Sequence, residues 1–183
     1  LVEGTHIAAH QDGGGGLRQG RGGEGQHVGA EIHHALRVGV EAQDVSFEMA
    51  GRSIRFNGID SRTKLVFGDL RDTHEQVAQM APYDLITGTP PYLPIGEGIV
   101  SDKPQRGPCC FETRGGIGEY AEAAKRWLAP EGRFVVCAGA RPEGRAEGAL
   151  RESGLGIARI IDVIPRDGKD TLLHVFVCVI HAN

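Results

Sequence analysis

The chain has no apolar run approaching the ~20 residues that a helix needs to cross a bilayer, which excludes a helical membrane span. No secretory pattern of charged, apolar and small residues opens it. Its first residue is Leu1 instead of Met, as expected of a fragment or a processed product. Basic charge is not in surplus: 20 Lys and Arg stand against 24 Asp and Glu, a net charge of -4. That balance argues against a generally basic nucleic-acid binder, though a local basic groove stays open because steering depends on where charge lies. The four cysteines (Cys109, Cys110, Cys137, Cys178) form neither a CxxC pair nor a disulfide-scaffold spacing. Cys137 and Cys178 sit in apolar runs and read as small core residues. Cys109 and Cys110 are adjacent and read as two loop thiols, so a reducing intracellular compartment, such as the cytoplasm, is expected.

The first 36 residues lack what a core requires. They hold ten of the 28 glycines, five of the eight histidines, no aromatic ring, and only seven Val, Ile or Leu. Such a segment buries little surface against the entropy of ordering it, so residues 1–36 are expected to be disordered. His6, His10, His27, His33 and His34 match no metal-ligand spacing, and no metal is expected.

What is there begins at residue 37, and 183 residues at 40% hydrophobic content suit one domain with a substantial core. "RVGVEA" reads as a strand, and "QDVSFEMAGRSIRFNG" as a helix with Phe47, Ala50 and Ile54 on one face. "TKLVFGD" is the next strand, "THEQVAQMA" a short helix and "YDLITG" a third strand. A Gly/Pro-rich loop runs from Thr89 to about Ile117. "GEYAEAAKRWL" carries an inner stripe of Tyr120, Ala124, Trp127 and Leu128, and Pro130-Glu131-Gly132 turns into the strand "RFVVCAGA". "EGRAEGALRES" returns as a helix, and "IARIIDVI", "PRDGKD" and "TLLHVFVCVI" close the chain as strand, turn and strand. Alternating strands and helices imply an α/β fold with a mostly parallel sheet, to which the hairpin adds an antiparallel strand.

In open sheets of this kind ligands bind outside the carboxyl ends of the strands. Three strands end there on Glu41, Asp69 and Thr89-Pro90-Pro91-Tyr92. A carboxylate such as Glu41 can accept from both hydroxyls of a ribose, and Asp69 from an adenine amino group while the Leu70 N–H donates to the ring. Each acid alone is equally well a solvated strand end. Proline fixes its own φ and has no N–H, so the Pro-Pro pair stops sheet pairing and leaves rigid carbonyls. The Pro90 carbonyl and the side chain of Thr89 can accept from both N–H bonds of an amino group whose lone pair is delocalised. Tyr92 can stack on a planar substrate. The bland alternatives are a structural turn beside a core tyrosine, or "PYLP" as a PxxP ligand.

These residues resemble the S-adenosylmethionine-dependent amino-methyltransferases. That family is marked by Asn/Asp-Pro-Pro-Tyr/Phe after the fourth strand of a seven-stranded Rossmann-like sheet. The likeness covers about residues 37–181. "VGVEAQDVSFEMAGRSIRFNGI" is similar to the acidic second strand and its helix, "LVFGDLRD" to the third-strand acid motif, and "YDLITGTPPYLP" to the catalytic one. "FETRGGIGEYAEAAKRWLAPEGRFVV" and "VIPRDGK" most resemble the bacterial-type tRNA adenine-N(6) methyltransferases. The resemblance implies a methyltransferase domain over 37–183 with S-adenosylmethionine as cofactor. Glu41 would hold its ribose, Asp69 and Leu70 its adenine, and Thr89, Pro90, Pro91 and Tyr92 the substrate amino group of a tRNA-like RNA. In the wider family the same corner methylates a glutamine of release factors, and an inactive adaptor that keeps the fold is a further alternative. Read from the long loop itself, Arg106 and Arg114, with Lys103, are expected to contact phosphates, a solvated surface loop being the equal alternative. Two departures stand out. Thr89 replaces the family's Asn or Asp, and the first strand with its glycine loop is degenerate or missing in "DGGGGLRQGRGGEGQHVGAEIHHAL".

Overall fold

A computed structural model describes residues 7–11 by their backbone, together with residues 36–96 and 106–180. In chain order the elements are β1 (Ile7–Gln11), β2 (Leu36–Glu41), α1 (Asp44–Phe56), β3 (Thr63–Phe67), α2 (His74–Ala78) and β4 (Tyr83–Gly88). They continue with α3 (Arg106–Cys110), α4 (Ile117–Trp127), β5 (Leu128–Gly139), α5 (Arg145–Glu152), β6 (Leu155–Val163) and β7 (Leu173–Ile180). One sheet joins the seven strands of the described residues in the order β3-β2-β1-β4-β5-β7-β6. β2 and β3 pair in parallel, as do β4 and β5, whereas β7 runs antiparallel to both β5 and β6. No helix among the described residues is long and apolar enough to cross a membrane.

Period-2 alternation decides which face is buried. Ile86, Phe134 and Cys178 are cross-strand neighbours, as are Gly88, Val136 and Phe176, and all six are buried. Val38, Val40 and Val66 continue the same buried core toward the other edge. α4 closes over it with Tyr120, Ala124 and Trp127, and α5 adds Leu150. Burial of each of the two phenylalanines is worth roughly 1.5–3 kcal/mol. Contact is tight where β4 meets α4: a Cβ at Gly88 would stand 2.7 Å from Tyr120 Cδ1. At the start of α4 the Gly116 N–H donates to Glu119 Oε2 at 2.8 Å, satisfying one of the otherwise orphaned amides.

The structure departs from the sequence reading in four places. Ile7–Gln11 lies at the centre of the sheet, although residues 1–36 were expected to be disordered. It runs antiparallel to both β2 and β4. Ladders on both sides can hold a short strand whose own apolar content is low, because each edge supplies the backbone partners that isolation denies it. Arg106–Cys110 forms a helical turn inside what reads as a continuous loop. β5 begins at Leu128, ahead of the expected turn. Tyr83 pairs with Leu128 but Leu85 with Arg133, so Pro130-Glu131-Gly132 is absorbed as a bulge. Finally, Phe47, Ala50 and Ile54 of α1 are only half-buried, and Ser46 is the buried residue of that helix.

Candidate active site

β2, β3, β4, β5 and β6 all point their carboxyl ends to one rim of the sheet. The antiparallel β1 brings its amino end there instead. Ile7 pairs with Val40 on one side and Gly88 on the other, so Glu41 and Thr89 leave the sheet on either side of it. Two strand spacings put them roughly 10 Å apart. Gln11, by contrast, pairs with Leu36 at the amino end of β2, so the chain leaves β1 at the opposite rim. The glycines that follow Gln11 lie outside the described residues.

Glu41 ends β2 and is fully buried. Its Oε1 accepts from the Gln43 N–H at 2.7 Å, and its backbone oxygen accepts from the Gly68 N–H at 3.0 Å, which ties the ends of β2 and β3 together. Leu93 N–H donates to the Cys110 oxygen and Glu112 N–H to the Leu93 oxygen, each at 3.0 Å, which fixes the long loop back on itself. That fold carries α3 to β2, where Gln43 Nε2 donates to Cys109 Sγ at 3.1 Å.

Asp69 follows β3, and its carboxylate is gripped by Arg71 in a bidentate pair. Nε donates to Oδ1 at 2.8 Å and Nη2 to Oδ2 at 2.7 Å, while the Arg71 amide adds a bond of 2.9 Å to Oδ1. The Arg71 hydrogen bonds hold the Asp69 carboxyl below its ordinary pKa despite an opposing contribution from burial, and the nearby positive charge of Arg114 helps. The amides of Asp72 and Thr73 both donate to the Asp69 oxygen, turning the chain toward α2. Leu70 is buried, and with Arg71 it lines a cavity of about 340 Å³ that runs along α4 and α5 past Glu122, Arg126 and Glu152.

At the end of β4, Thr89 is exposed while Pro90 and Pro91 are buried. Tyr92 is half-buried against β5: its hydroxyl lies 3.1 Å from Cys137 Sγ, and a Cβ on Gly139 would meet its Cβ at 3.7 Å. Pro91 and Tyr92 border a small cavity of about 10 Å³ together with Arg141 and Arg145. Arg145 in turn is ion-paired with Glu112. The rim therefore gathers Glu41 with Asp69, and Thr89 with Tyr92, but Leu70 and Tyr92 open onto different cavities. Arg114 sits toward Asp69, with its Nη1 buried and without a hydrogen-bond partner among the described residues. Arg106 opens α3, but its side chain, like Lys103, lies outside the described residues.

Sequence reasoning overlooked Gln43, Arg71, Cys109 and Cys137. Gln43 and Arg71 each stand two residues beyond a strand-end acid, and that spacing was the available signal, since an i+2 amide or side chain folds back readily on a carboxylate. Nothing local marks Cys109 or Cys137, whose partners are 66 and 45 residues away.

No protein-family model matches the chain, and no curated protein matches it. Solved structures do. A Streptococcus mutans structure assigned as a S-adenosylmethionine-dependent methyltransferase aligns with a TM-score of 0.52 at 15% identity, over 76% of this chain and 37% of that one. Aeropyrum pernix fibrillarin, in complex with natively bound S-adenosylmethionine, aligns with a TM-score of 0.50 at 16% identity, over 78% and 54%. The Methanococcus jannaschii fibrillarin pre-rRNA processing protein gives 0.50 at 12% identity, over 79% and 55%. The chain thus spans between about a third and a little over half of these proteins, and at such identities the likeness shows the fold. It is the Rossmann-like methyltransferase sheet, here mixed parallel and antiparallel.

Proposed function

We propose that this chain is the catalytic domain of a S-adenosylmethionine-dependent methyltransferase that acts on the exocyclic amino group of adenine in a tRNA-like RNA. One observation carries the reading. In a methyltransferase-type sheet, β4 ends at the ligand-binding rim on Thr89-Pro90-Pro91-Tyr92, with Thr89 open to solvent and the prolines packed beneath it. The pre-rRNA processing role of one neighbour in fold is in keeping with an RNA substrate.

The nucleoside half of the cofactor would fall to two carboxylates, of which Glu41 is fully buried and must be uncovered to reach it. Glu41 and Asp69 are carboxylates on adjacent strand ends, and the Gln43 amide already anchors the first. Glu41 would hold the ribose hydroxyls, and Asp69 with Leu70 the adenine. When bound, the cofactor supplies a methyl group made electrophilic by its sulfonium. The chain's own part is orientation. Thr89 Oγ1 and the Pro90 carbonyl accept from the two amino N–H bonds, turning the nitrogen lone pair out of conjugation. Tyr92 flanks the base from the β5 side, held there by its contact with Cys137.

Incubation with radiolabelled S-adenosylmethionine and unmodified tRNA tests this, with purified release factor as the comparison. Label in adenine of the tRNA is expected. Label only in a release-factor glutamine would move the site to amide methylation. A second reading, a methyltransferase-fold adaptor without activity, is favoured by one feature: the reversed β1 brings its amino end, and no carboxyl end with a following loop, to the rim between Glu41 and Thr89. Absence of any S-adenosylhomocysteine binding would decide for it.

A further inference from the structure

β6 runs parallel to β5, so the turn between β6 and β7 reaches the same rim as Tyr92. Three bonds fix it there. The Ala140 N–H donates to the Leu172 oxygen at 3.1 Å, the Leu172 N–H to the Val163 oxygen at 2.9 Å, and the Lys169 N–H to the Arg166 oxygen at 3.2 Å. Gly168 takes a left-handed φ of 73°, which lets the turn reverse without strain. Between this turn and the end of β5 lies an open cavity of about 610 Å³ lined by Arg141, Pro165, Arg166, Lys169 and Asp170, among others. Its charged side chains are all exposed, three cations against one anion, and among the described residues none of the three cations is ion-paired. The neighbouring Arg145, by contrast, is neutralised by Glu112. Arg141 also borders the small cavity beside Tyr92, so the basic cavity adjoins the Pro-Pro-Tyr corner directly.

We infer that Arg141, Arg166 and Lys169 form a phosphate-contacting groove for the nucleic-acid substrate, which enters the site from the hairpin side. The inference rests on the reading of the corner as a nucleobase site and adds the surface that would hold the flanking backbone. Three cations without a direct ion pair, outnumbering the one lining anion Asp170 in an open setting, suit phosphates, which position a nucleic acid without reading its sequence. A buried anion pocket would instead enclose its charges, and an apolar protein partner would want an uncharged centre. Arg gives bidentate contact to phosphate, whereas Lys acts as a mobile point charge.

The test is anisotropy of a fluorescent, unmodified tRNA stem-loop with the full chain across a salt series. The wild type is compared with a triple Arg141→Gln, Arg166→Gln, Lys169→Gln variant. Each lost contact removes about 0.7–0.9 from the slope of log affinity against log salt, so the ratio of affinities between about 50 and 200 mM salt should shrink roughly 20- to 40-fold. Binding of S-adenosylhomocysteine by the variant should be unchanged. RNA binding with an unaltered slope in the variant would overturn the inference. So would a wild type that ignores RNA but loses release factor on substitution, since the groove would then serve a protein. A slope change in a protein that binds no S-adenosylhomocysteine would keep the groove while removing the methyl-transfer reading.

Discussion

Arg71→Ala is the sharpest perturbation of the cofactor side of the rim. In the structure both Asp69 oxygens are taken by one guanidinium, at 2.7 and 2.8 Å. An adenine amino group that is to reach this carboxylate must displace or share those bonds. The Arg71 side chain is 48% exposed and that of Asp69 16%, so the pair is largely a surface one and worth about 0.2–1 kcal/mol. Removing the competitor should therefore tighten S-adenosylhomocysteine by roughly 1.4- to 5-fold, since 1.4 kcal/mol corresponds to a factor of ten. Titration calorimetry at pH 7 measures it. The same variant has a pH signature. The folded Asp69 pKa lies below its ordinary 3.8, chiefly because Arg71 hydrogen-bonds the ionised form. The stabilisation this brings is complete above that ordinary value and is lost as pH falls through the folded one. The stability gap between wild type and Arg71→Ala should stay constant from pH 7 to about pH 5 and shrink only in the acid range. A tenfold weakening of S-adenosylhomocysteine binding on substitution would refute the reasoning, because Arg71 would then be a ligand contact and not a competitor.

Tyr92→Ala should abolish methyl transfer while leaving S-adenosylhomocysteine affinity within about twofold, and Tyr92→Phe, which keeps the ring, should retain most activity. Equal loss of transfer and cofactor affinity in Tyr92→Ala would count against a role on the substrate side. Thr89→Asn should raise the transfer rate, because a side-chain carbonyl reaches further than a hydroxyl. A lower rate would mean that Thr89 is matched to another acceptor group. Gly88→Ala should destabilise the fold by roughly 1–3 kcal/mol in urea unfolding, since its Cβ would press on the Tyr120 ring at 2.7 Å and overpacking of this kind is costly. Unchanged stability would mean that α4 is free to shift away from β4.

Most of the scaffold was legible because hydrophobic periodicity and glycine or proline punctuation agree. Tyr120, Ala124 and Trp127 recur at helical spacing and are buried, and Asn57-Gly58 ends α1 with Gly58 at a φ of 62°. β1 was not legible. "IAAHQ" has one strongly apolar residue in five, and what makes it a strand is pairing with Val40 and Gly88, partners that are 33 and 81 residues away. Such non-local selection leaves no trace in a short window. Of the site, the strand-end acids and the Pro-Pro-Tyr corner could be read because strand ends are local features. Their occupancy could not. The grip of Arg71 on Asp69, the burial of Glu41 and the hold of Cys137 on Tyr92 each depend on side-chain direction or on a distant segment.

The central claim is that the rim joining Glu41 to Asp69 receives a nucleoside. Calorimetry of S-adenosylhomocysteine against the full chain tests it most directly, with Asp69→Ala as the comparison. The account predicts saturable one-to-one binding that weakens at least about tenfold in Asp69→Ala, the loss of a hydrogen bond to a charged group being worth roughly 1.5–3 kcal/mol. A wild type that gives no saturable heat, or an Asp69→Ala variant that binds just as well, would contradict it.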